Sequence, residues 1–290
     1  MPPRVKRGTP LPFPPVPSGK KSKQARRAAA LKPPPVQSKG RPRSRQASPR
    51  VLAIGGAVVA LAIVAIVLGF VFSRGGGSGI PKNIPTYGSL ANGLPGAADV
   101  QTMYGGIPQK GLLLGKSSAP ARMVIYIDLQ CPLCQQFELS SMPTIVDKYV
   151  RTGKVQVEVK PWAFIGPDSA RGQAAMFAAA KQNKAFNFAQ VLYINQGVEN
   201  TNWLTDGMVV QAAESIPGLN VPKVLTERKS GTVSKEVTAV AAAAKADKVS
   251  GTPTVFVGKT SAKKLSLVGK SGFVPTLAEV TQAFDAALAS

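Results

Sequence analysis

The fold is decided by the stretch MVIYIDLQCPLC at residues 123–134, in which a short apolar run is followed, after three residues, by a pair of cysteines. The first five residues of this stretch are apolar, which is typical of a strand buried on both faces of a sheet. Residues 135–150 have the composition of a helix, which Pro143 is expected to kink. Cys131 and Cys134 therefore lie where a strand ends and a helix begins.

This position predicts different chemistry for the two thiols. The free N–H groups and the positive end of a helix dipole stabilise a thiolate in the first turn, so we expect Cys131 to have a lowered pKa and to be the nucleophile. Cys134 lies one turn later, where it can resolve a mixed disulfide. Pro132 suits the first turn, because its missing N–H has no intrahelical partner there. The alternatives are an inert disulfide and half of a metal site.

The residue types that are missing narrow the chemistry further. The chain has no histidine and no cysteine beyond this pair. The absence of histidine excludes hydrolases that depend on a Ser-His-Asp or Cys-His arrangement, as well as His-ligated zinc. A structural zinc site usually needs four Cys or His ligands. We therefore expect neither a metal nor an organic cofactor.

A second motif, Gly251-Thr252-Pro253-Thr254, lies directly before an apolar run at residues 255–257. Proline is tolerated at the first position of a strand, and an X-Pro bond is the only common site of a cis peptide. Pro253 is thus a candidate cis-proline, and an ordinary trans proline at the start of a strand is the alternative.

The order of the remaining patterns predicts an α/β sheet that is interrupted by helices. Residues 155–159 alternate like a half-buried strand, and residues 169–248 have helical composition. Strand patterns return at residues 254–257 and 265–268 as a hairpin, and an amphipathic helix is predicted at residues 276–288.

The CPLC motif, followed much later by Thr-Pro before a hairpin, resembles the thioredoxin fold, and the helical block between the two motifs resembles the DsbA-type disulfide oxidoreductases. The similarity is to the membrane-anchored, DsbA-like branch that is common in bacteria, and it covers about residues 106–290. Further matching residues are Leu114-Gly115, Ala119-Pro120, Asp128-Leu129-Gln130, Phe137, Gln196-Gly197 and Glu199-Asn200.

The resemblance implies an α/β, thioredoxin-like fold with a helical domain inserted at about residues 167–248. It implies that Cys131 is the nucleophile, Cys134 the resolving thiol and Pro253 the cis-proline. Thr252, through its backbone, and Leu133 are the implied substrate-binding residues. Strongly oxidising members carry His where this chain has Leu133, which puts the oxidising strength in question. The implied partners are cysteine-containing proteins outside the cytoplasm and a quinone-linked redox protein of the membrane.

The amino-terminal part differs in composition from this domain. Residues 1–50 contain fourteen Lys or Arg, twelve Pro and no acidic residue, so we expect a disordered basic tail that carries +14 of the formal net charge of +22. Residues 51–72 are free of charged side chains and long enough for a transmembrane signal anchor, with a cleaved signal peptide as the alternative. Residues 73–105 are expected to form a flexible linker.

The charges on either side of the apolar segment predict its orientation. Arg41, Arg43, Arg45 and Arg50 precede it and only Arg74 follows closely, which places the amino terminus in the cytoplasm and the remaining domain outside. The tail offers only Phe13 for stacking on bases, so nucleic-acid binding is not expected.

The residues favour oxidation of exported proteins by dithiol–disulfide exchange. The alternatives are a membrane-tethered reductant or isomerase, as in cytochrome maturation, and a non-enzymatic adaptor. Several side chains near the motifs are open to two interpretations. Asp128 is either a proton-transfer group or a solvated loop carboxylate. Glu158 and Lys160 either tune the site or lie on a half-exposed strand, and Trp162 and Phe164 belong either to the core or to a substrate surface.

Overall fold

A six-stranded mixed sheet forms the centre of the computed structural model, which describes residues 79–91 and 93–289. The strand order is β1-β2-β4-β3-β5-β6. The strands are β1 (Gln109–Lys110), β2 (Leu113–Leu114), β3 (Ala121–Ile127), β4 (Val155–Pro161), β5 (Thr254–Lys259) and β6 (Ser266–Val268). Strands β3 and β4 run parallel, and every other neighbouring pair is antiparallel.

Helices account for most of the remaining described chain. They are α1 (Ala97–Tyr104), α2 (Pro132–Ser140), α3 (Met142–Ile145), α4 (Pro167–Ala180), α5 (Ala185–Ile194), α6 (Asp206–Glu214), α7 (Val221–Glu227), α8 (Gly231–Ala246) and α9 (Leu277–Ala289). A π-helical turn, Val146–Val150, follows α3 directly.

Strand β3 lies between β4 and β5, and its side chains alternate between the two faces of the sheet. Met123 and Ile125 point into the core that includes Phe284 of α9. Val124 and Tyr126 point to the opposite face, where they pack with residues of α4 and α8. The predicted burial of this apolar run on both faces is thus confirmed. A strand that helices cover on each side needs apolar residues at successive positions.

The helical block between β4 and β5 consists of α4 to α8, as the sequence predicted for about residues 167–248. Three of its helices begin at a polar residue whose side chain accepts a backbone N–H of the first turn. These residues are Thr205, Asn220 and Ser230. Such caps satisfy N–H groups that have no intrahelical partner. The short helix α7 was not predicted from the sequence.

The helical run that follows the cysteines is interrupted, and Pro143 lies near the interruption. Helix α2 ends before Ser141, and Pro143 lies in the first turn of α3, where its missing N–H disturbs the helix least. The chain then widens into the π-helical turn, in which the Arg151 N–H donates to the Val146 carbonyl at 2.8 Å. The predicted kink is thus a break between two short helices.

The prediction of a flexible linker over residues 73–105 needs correction where the structure describes this range. Helix α1 lies within it and buries Ala97, Val100 and Tyr104. These apolar residues are spaced as on one helical face, and the many Gly and Pro residues upstream obscured the pattern. Residues before α1 are also fixed to the helical block, because the Gly88 N–H donates to the Leu219 carbonyl at 2.9 Å.

The predicted tail (1–50) and transmembrane segment (51–72), with residues 73–78, lie outside the described residues. Across residues 79–91 and 93–289, no helix combines the length and the apolar character that crossing a bilayer requires.

Candidate active site

Cys131 is the N-cap residue of α2. Its backbone is extended, with φ −71° and ψ 118°, and Pro132 is the first helical residue. The Cys131 carbonyl accepts the first intrahelical bond, from the Gln135 N–H, at 3.1 Å. The sulfur of an N-cap residue faces the N–H groups of the first turn, which are the donors that stabilise an anion there. The expected strand–helix junction is therefore present.

The two sulfurs differ in accessibility. Both cysteines are free thiols here. Cys131 is 5% exposed, whereas Cys134 is fully buried at 0%. A substrate sulfur can therefore approach Cys131 but not Cys134.

The Thr252–Pro253 peptide is cis, and it lies against the nucleophilic sulfur. In its protonated form, the Cys131 thiol donates a hydrogen bond to the Thr252 carbonyl at 3.3 Å. The Pro253 carbonyl accepts the Gly272 N–H at 3.1 Å, which ties the loop to the chain after β6. The structure thus brings together two motifs that are 121 residues apart in sequence.

The surroundings of Cys131 lower its pKa from the ordinary value of 9.0 to about 6. The largest cause is a hydrogen bond from the Cys134 thiol, and the Thr252 side chain and the backbone N–H groups of Cys134 and Leu133 add to it. Burial opposes the shift by disfavouring the charged form. At neutral pH, Cys131 is consequently a thiolate.

Cys134 shows the opposite behaviour. Burial raises its pKa well above the ordinary value, and the negative charge of Cys131 adds to the effect. Its proton is therefore retained, and it is donated as a hydrogen bond to the neighbouring sulfur. One ionised and one protonated thiol within a helical turn is the arrangement required for thiol–disulfide exchange.

Asp128 is buried, at 2% exposure, so the interpretation as a solvated loop carboxylate is wrong. Its Oδ2 accepts the N–H groups of Phe164 at 3.0 Å and Ile165 at 3.2 Å, and its Oδ1 accepts the Gln130 N–H at 2.9 Å. Burial raises the pKa of Asp128, and these bonds oppose the increase. The carboxyl group joins the loop before Cys131 to the loop after β4.

Two side chains of the helical insertion hold the same loop, and sequence reasoning did not assign them a role. The Tyr193 hydroxyl donates to the Asp128 carbonyl at 3.0 Å. The Gln196 side-chain amide donates to the Leu129 carbonyl at 2.9 Å and to the Cys131 carbonyl at 3.3 Å. The insertion is therefore part of the framework that positions the nucleophile.

A third contact between insertion and loop passes through Gln130, which is fully buried. Its Nε2 donates to the Ser169 hydroxyl at 2.9 Å, and its Oε1 accepts the Asn200 N–H at 2.9 Å. Both polar ends of the amide are thereby satisfied, as a buried amide requires. Ser169 is in α4, so the loop is held from two separate parts of the insertion.

Glu138 is a buried carboxyl on α2, one turn after Cys134. Burial raises its pKa from 4.5 to about 8, so it is largely protonated at neutral pH. Sequence reasoning missed this residue. The signal was present, because a glutamate four residues after Cys134 lies on the same, buried face of the helix.

Apolar side chains are exposed next to the cysteines. Leu133 is 39% exposed between them, and Phe164, in the loop that Asp128 holds, is 47% exposed. Phe164 stacks on Trp162, with ring centroids 4.8 Å apart and planes at 17°. Phe164 is thus not a core residue, and it is available to contact a substrate.

Glu158 and Lys160 have partners other than the cysteines. Glu158 lies 3.7 Å from the Arg122 guanidinium, and Lys160 lies 3.7 Å from the Asp247 carboxylate. Both residues are on β4, whose exposure alternates along the strand. These ion pairs favour the interpretation as a half-exposed strand.

The sheet is thioredoxin-like and carries a helical insertion, and the cysteine pair starts a helix beside a cis-proline. These features define a DsbA-like thiol–disulfide oxidoreductase. Residues 108–268 match the family model described as Thioredoxin. A probable disulfide bond formation protein D of Bacillus cereus is 31% identical over 147 residues, which are 50% of this chain and 68% of that protein. The disulfide bond formation protein D of Bacillus subtilis is 26% identical over 152 residues, which are 50% of this chain and 66% of that one.

Solved structures agree on the fold. Oxidised BdbD from Bacillus subtilis superposes with a TM-score of 0.54 at 20% identity, covering 63% of this chain and 98% of that chain. Wolbachia pipientis alpha-DsbA1 gives a TM-score of 0.52 at 20% identity, covering 61% of this chain and 90% of that chain. The chain belongs to the thioredoxin family, and its activity is thiol–disulfide exchange.

Proposed function

We propose that the chain oxidises cysteine pairs in proteins outside the cytoplasm, with Cys131 and Cys134 as the exchanging pair. The observation that carries this proposal is the pKa of about 6 for Cys131. A thiolate that is stabilised in the reduced enzyme makes reduction of the enzyme more favourable, so the enzyme's disulfide is a stronger oxidant.

The first step is an attack on the oxidised enzyme. A substrate thiolate attacks the Cys131 sulfur of the Cys131–Cys134 disulfide, and a bond between substrate and Cys131 forms. The bond between the two enzyme sulfurs breaks, and its electron pair goes to Cys134. Because Cys134 is buried and its pKa is raised, it takes up a proton and becomes a neutral thiol.

The second step releases the product. A second substrate thiolate attacks the substrate sulfur of the mixed disulfide, and Cys131 leaves as a thiolate. Low-pKa thiols are good leaving groups, which suits Cys131 to this role. The substrate has lost two electrons and gained a disulfide, while the enzyme is reduced. A quinone-linked membrane protein that accepts two electrons is the proposed reoxidant.

Residues around the sulfurs supply contacts for the substrate in this proposal. Thr252 presents its backbone beside Cys131, and the exposed side chains of Leu133 and Phe164 offer an apolar surface. Pro253 holds the Thr252 carbonyl against the nucleophile. A substrate segment in extended conformation can then place its cysteine at Cys131.

The proposed location follows from the amino-terminal sequence. The apolar segment at residues 51–72 anchors the chain, and the arginines before it keep residues 1–50 in the cytoplasm. Disulfides persist outside the cytoplasm, where the enzyme and its substrates would meet. A protease-protection assay on sealed membrane vesicles, with tags at each end of the chain, tests this orientation.

The reduction potential tests the direction of exchange. The nucleophile of thioredoxin has a pKa of about 7. At pH 7 a thiol with a pKa of about 6 gains about 1 kcal/mol of thiolate stabilisation over it, which corresponds to about 20 mV. Equilibration with glutathione is therefore expected to give a value at least about 20 mV above the roughly −270 mV of thioredoxin. A potential at or below that of thioredoxin would identify a reductant and refute the oxidising role.

Substrate trapping tests whether the chain is an exchange enzyme in the cell. Cys134→Ser is expected to accumulate mixed disulfides at Cys131, because the resolving thiol is missing. Cys131→Ser is the control and is expected to trap nothing. If Cys131→Ser preserved the biological effect of the chain and Cys134→Ser trapped no protein, an adaptor role would replace the enzymatic one.

A further inference from the structure

A cleft of about 460 Å³, here called the basic cleft, opens on the face of the sheet that α4 and α8 partly cover. Its floor is formed by outward-facing residues of β3, β4 and β5, and its walls by the end of α8 and the connection between β5 and β6. Its volume is within the range of small-molecule sites. Neither cysteine lines it.

The lining of the basic cleft has more positive than negative charge. The cations are Arg122, Lys160, Lys248, Lys263 and Lys264, and the only carboxylates in the lining are Glu158 and Asp247. The excess of three positive charges is gathered around one concave surface, where field lines concentrate.

Both carboxylates are already engaged. Glu158 faces Arg122 at 3.7 Å, and Asp247 faces Lys160 at 3.7 Å and accepts the Tyr126 hydroxyl at 2.5 Å. Within the described part of the chain, no ion pair is formed by Lys248, Lys263 or Lys264. Three cations are thus left without a counter-charge.

Arg122 carries the strongest sign of a missing ligand. Its 3.7 Å ion pair is too long for a hydrogen bond, and its Nε is buried with no acceptor among the described residues. A buried donor without an acceptor is unfavourable. A guanidinium forms its best bonds with a planar or tetrahedral oxyanion that accepts two N–H groups. The Arg122 side chain lines the basic cleft and is 31% exposed.

Part of the lining of the basic cleft is apolar, which narrows the class of ligand further. Val124, Phe256 and Leu265 contribute to the lining beside the charged groups. The left-handed backbone at Lys248, with φ 56°, turns the chain sharply after α8 at a position where glycine is usual. We propose that the basic cleft binds an organic phosphate, with the phosphate between Arg122 and the free lysines and an apolar body on the floor.

Isothermal titration of the full chain in uncharged detergent tests this site, with two probes that separate the possible sources of phosphate. Phenyl phosphate represents a soluble metabolite, and monomeric short-chain phosphatidylglycerol represents a lipid headgroup. We expect saturable binding of at least one probe, and the probe that binds more tightly identifies the source. Arg122→Gln and Lys263→Gln/Lys264→Gln are each expected to weaken binding about tenfold or more.

The control variant is Lys110→Gln/Lys223→Gln, which removes two exposed lysines outside the basic cleft. It has the same net charge as the double cleft variant and keeps the basic residues of the tail. It is expected to bind both probes like the wild type. Equal alkylation rates of Cys131 in all variants verify folding. The proposal is overturned if neither probe saturates, or if the cleft variants bind as tightly as the control.

Discussion

Replacing Cys134 with alanine removes the hydrogen bond that contributes most to the low pKa of Cys131. Cys131 then keeps the backbone N–H groups at the start of α2 but loses the donor thiol. We expect the pKa of Cys131 to rise toward its ordinary value, and the reactivity of its sulfur at neutral pH to fall.

The size of the effect follows from the strength of the lost bond. A hydrogen bond to a charged acceptor contributes about 1.5–3 kcal/mol, and a tenfold change in ionisation corresponds to about 1.4 kcal/mol. Loss of the bond is therefore expected to move the midpoint of Cys131 ionisation from about 6 to between about 7 and 8. The remaining depression below 9.0 is the contribution of the Thr252 side chain and of the helix terminus.

The assay is the rate of alkylation by iodoacetamide as a function of pH, recorded with the reduced full chain. Cys134→Ser serves as the matched control, because a serine hydroxyl keeps a donor at the same position while also removing the second thiol. Its midpoint is expected to lie below that of Cys134→Ala. The variants contain only one cysteine, so the rate reports on Cys131 alone.

The outcome that contradicts this reasoning is a wild-type midpoint near 9.0, the ordinary value for a cysteine. Equal midpoints for the alanine and serine variants would show that a donor at position 134 has no influence on the ionisation of Cys131. The low pKa would then have to come from the helix terminus and the Thr252 side chain.

Three further changes have defined outcomes. The pKa of Glu138 is raised in the folded state, so on raising the pH this carboxyl ionises first in the unfolded chain. The free energy of unfolding is therefore expected to fall by up to about 5 kcal/mol as pH rises from 4.5 to about 8. Urea unfolding of Glu138→Gln should lack this fall. Gln196→Ala leaves the buried Leu129 carbonyl without a donor and removes one of the two donors to the Cys131 carbonyl, so it is expected to cost about 1–3 kcal/mol in the same assay. An unchanged midpoint would remove Gln196 from the framework. Phe284→Ala removes a buried ring that packs against Tyr149 and should lower the free energy of unfolding by about 3–5 kcal/mol. Phe273 is exposed, so Phe273→Ala should lower it little. Equal decreases for the two variants would contradict the packing described.

Much of the fold can be predicted from the sequence, because its main elements are long or strongly patterned. Strand β3 requires apolar residues at successive positions, and the insertion is a long stretch of alanine-rich helical sequence between two strand patterns. Strands β1 and β2 escape prediction because each has two residues, in which no periodicity can be recognised. Helix α1 follows a stretch rich in Gly and Pro, where its apolar spacing is easily overlooked.

The residues of the candidate site also fall into those that can be predicted from the sequence and those that cannot. Cys131 and Cys134 can be found from their spacing, and Pro253 from the turn residues around it. The family resemblance points to Gln196 without giving it a role, and nothing in the sequence points to Tyr193, because both contact the active-site loop from positions about 65 residues away. Their side chains are ordinary for a buried helix and for a polar loop, and only the packing of the insertion against the loop gives them a role.

The outermost strands of the sheet are very short, which limits how other extended chains can pair with them. β1 has two residues and β6 has three, so the sheet presents few unpaired backbone groups along its borders. Long free borders act as templates on which extended chains add as new strands and aggregate. Short borders leave little backbone on which a cysteine-containing substrate near Cys131 could add as a further strand of the enzyme's own sheet.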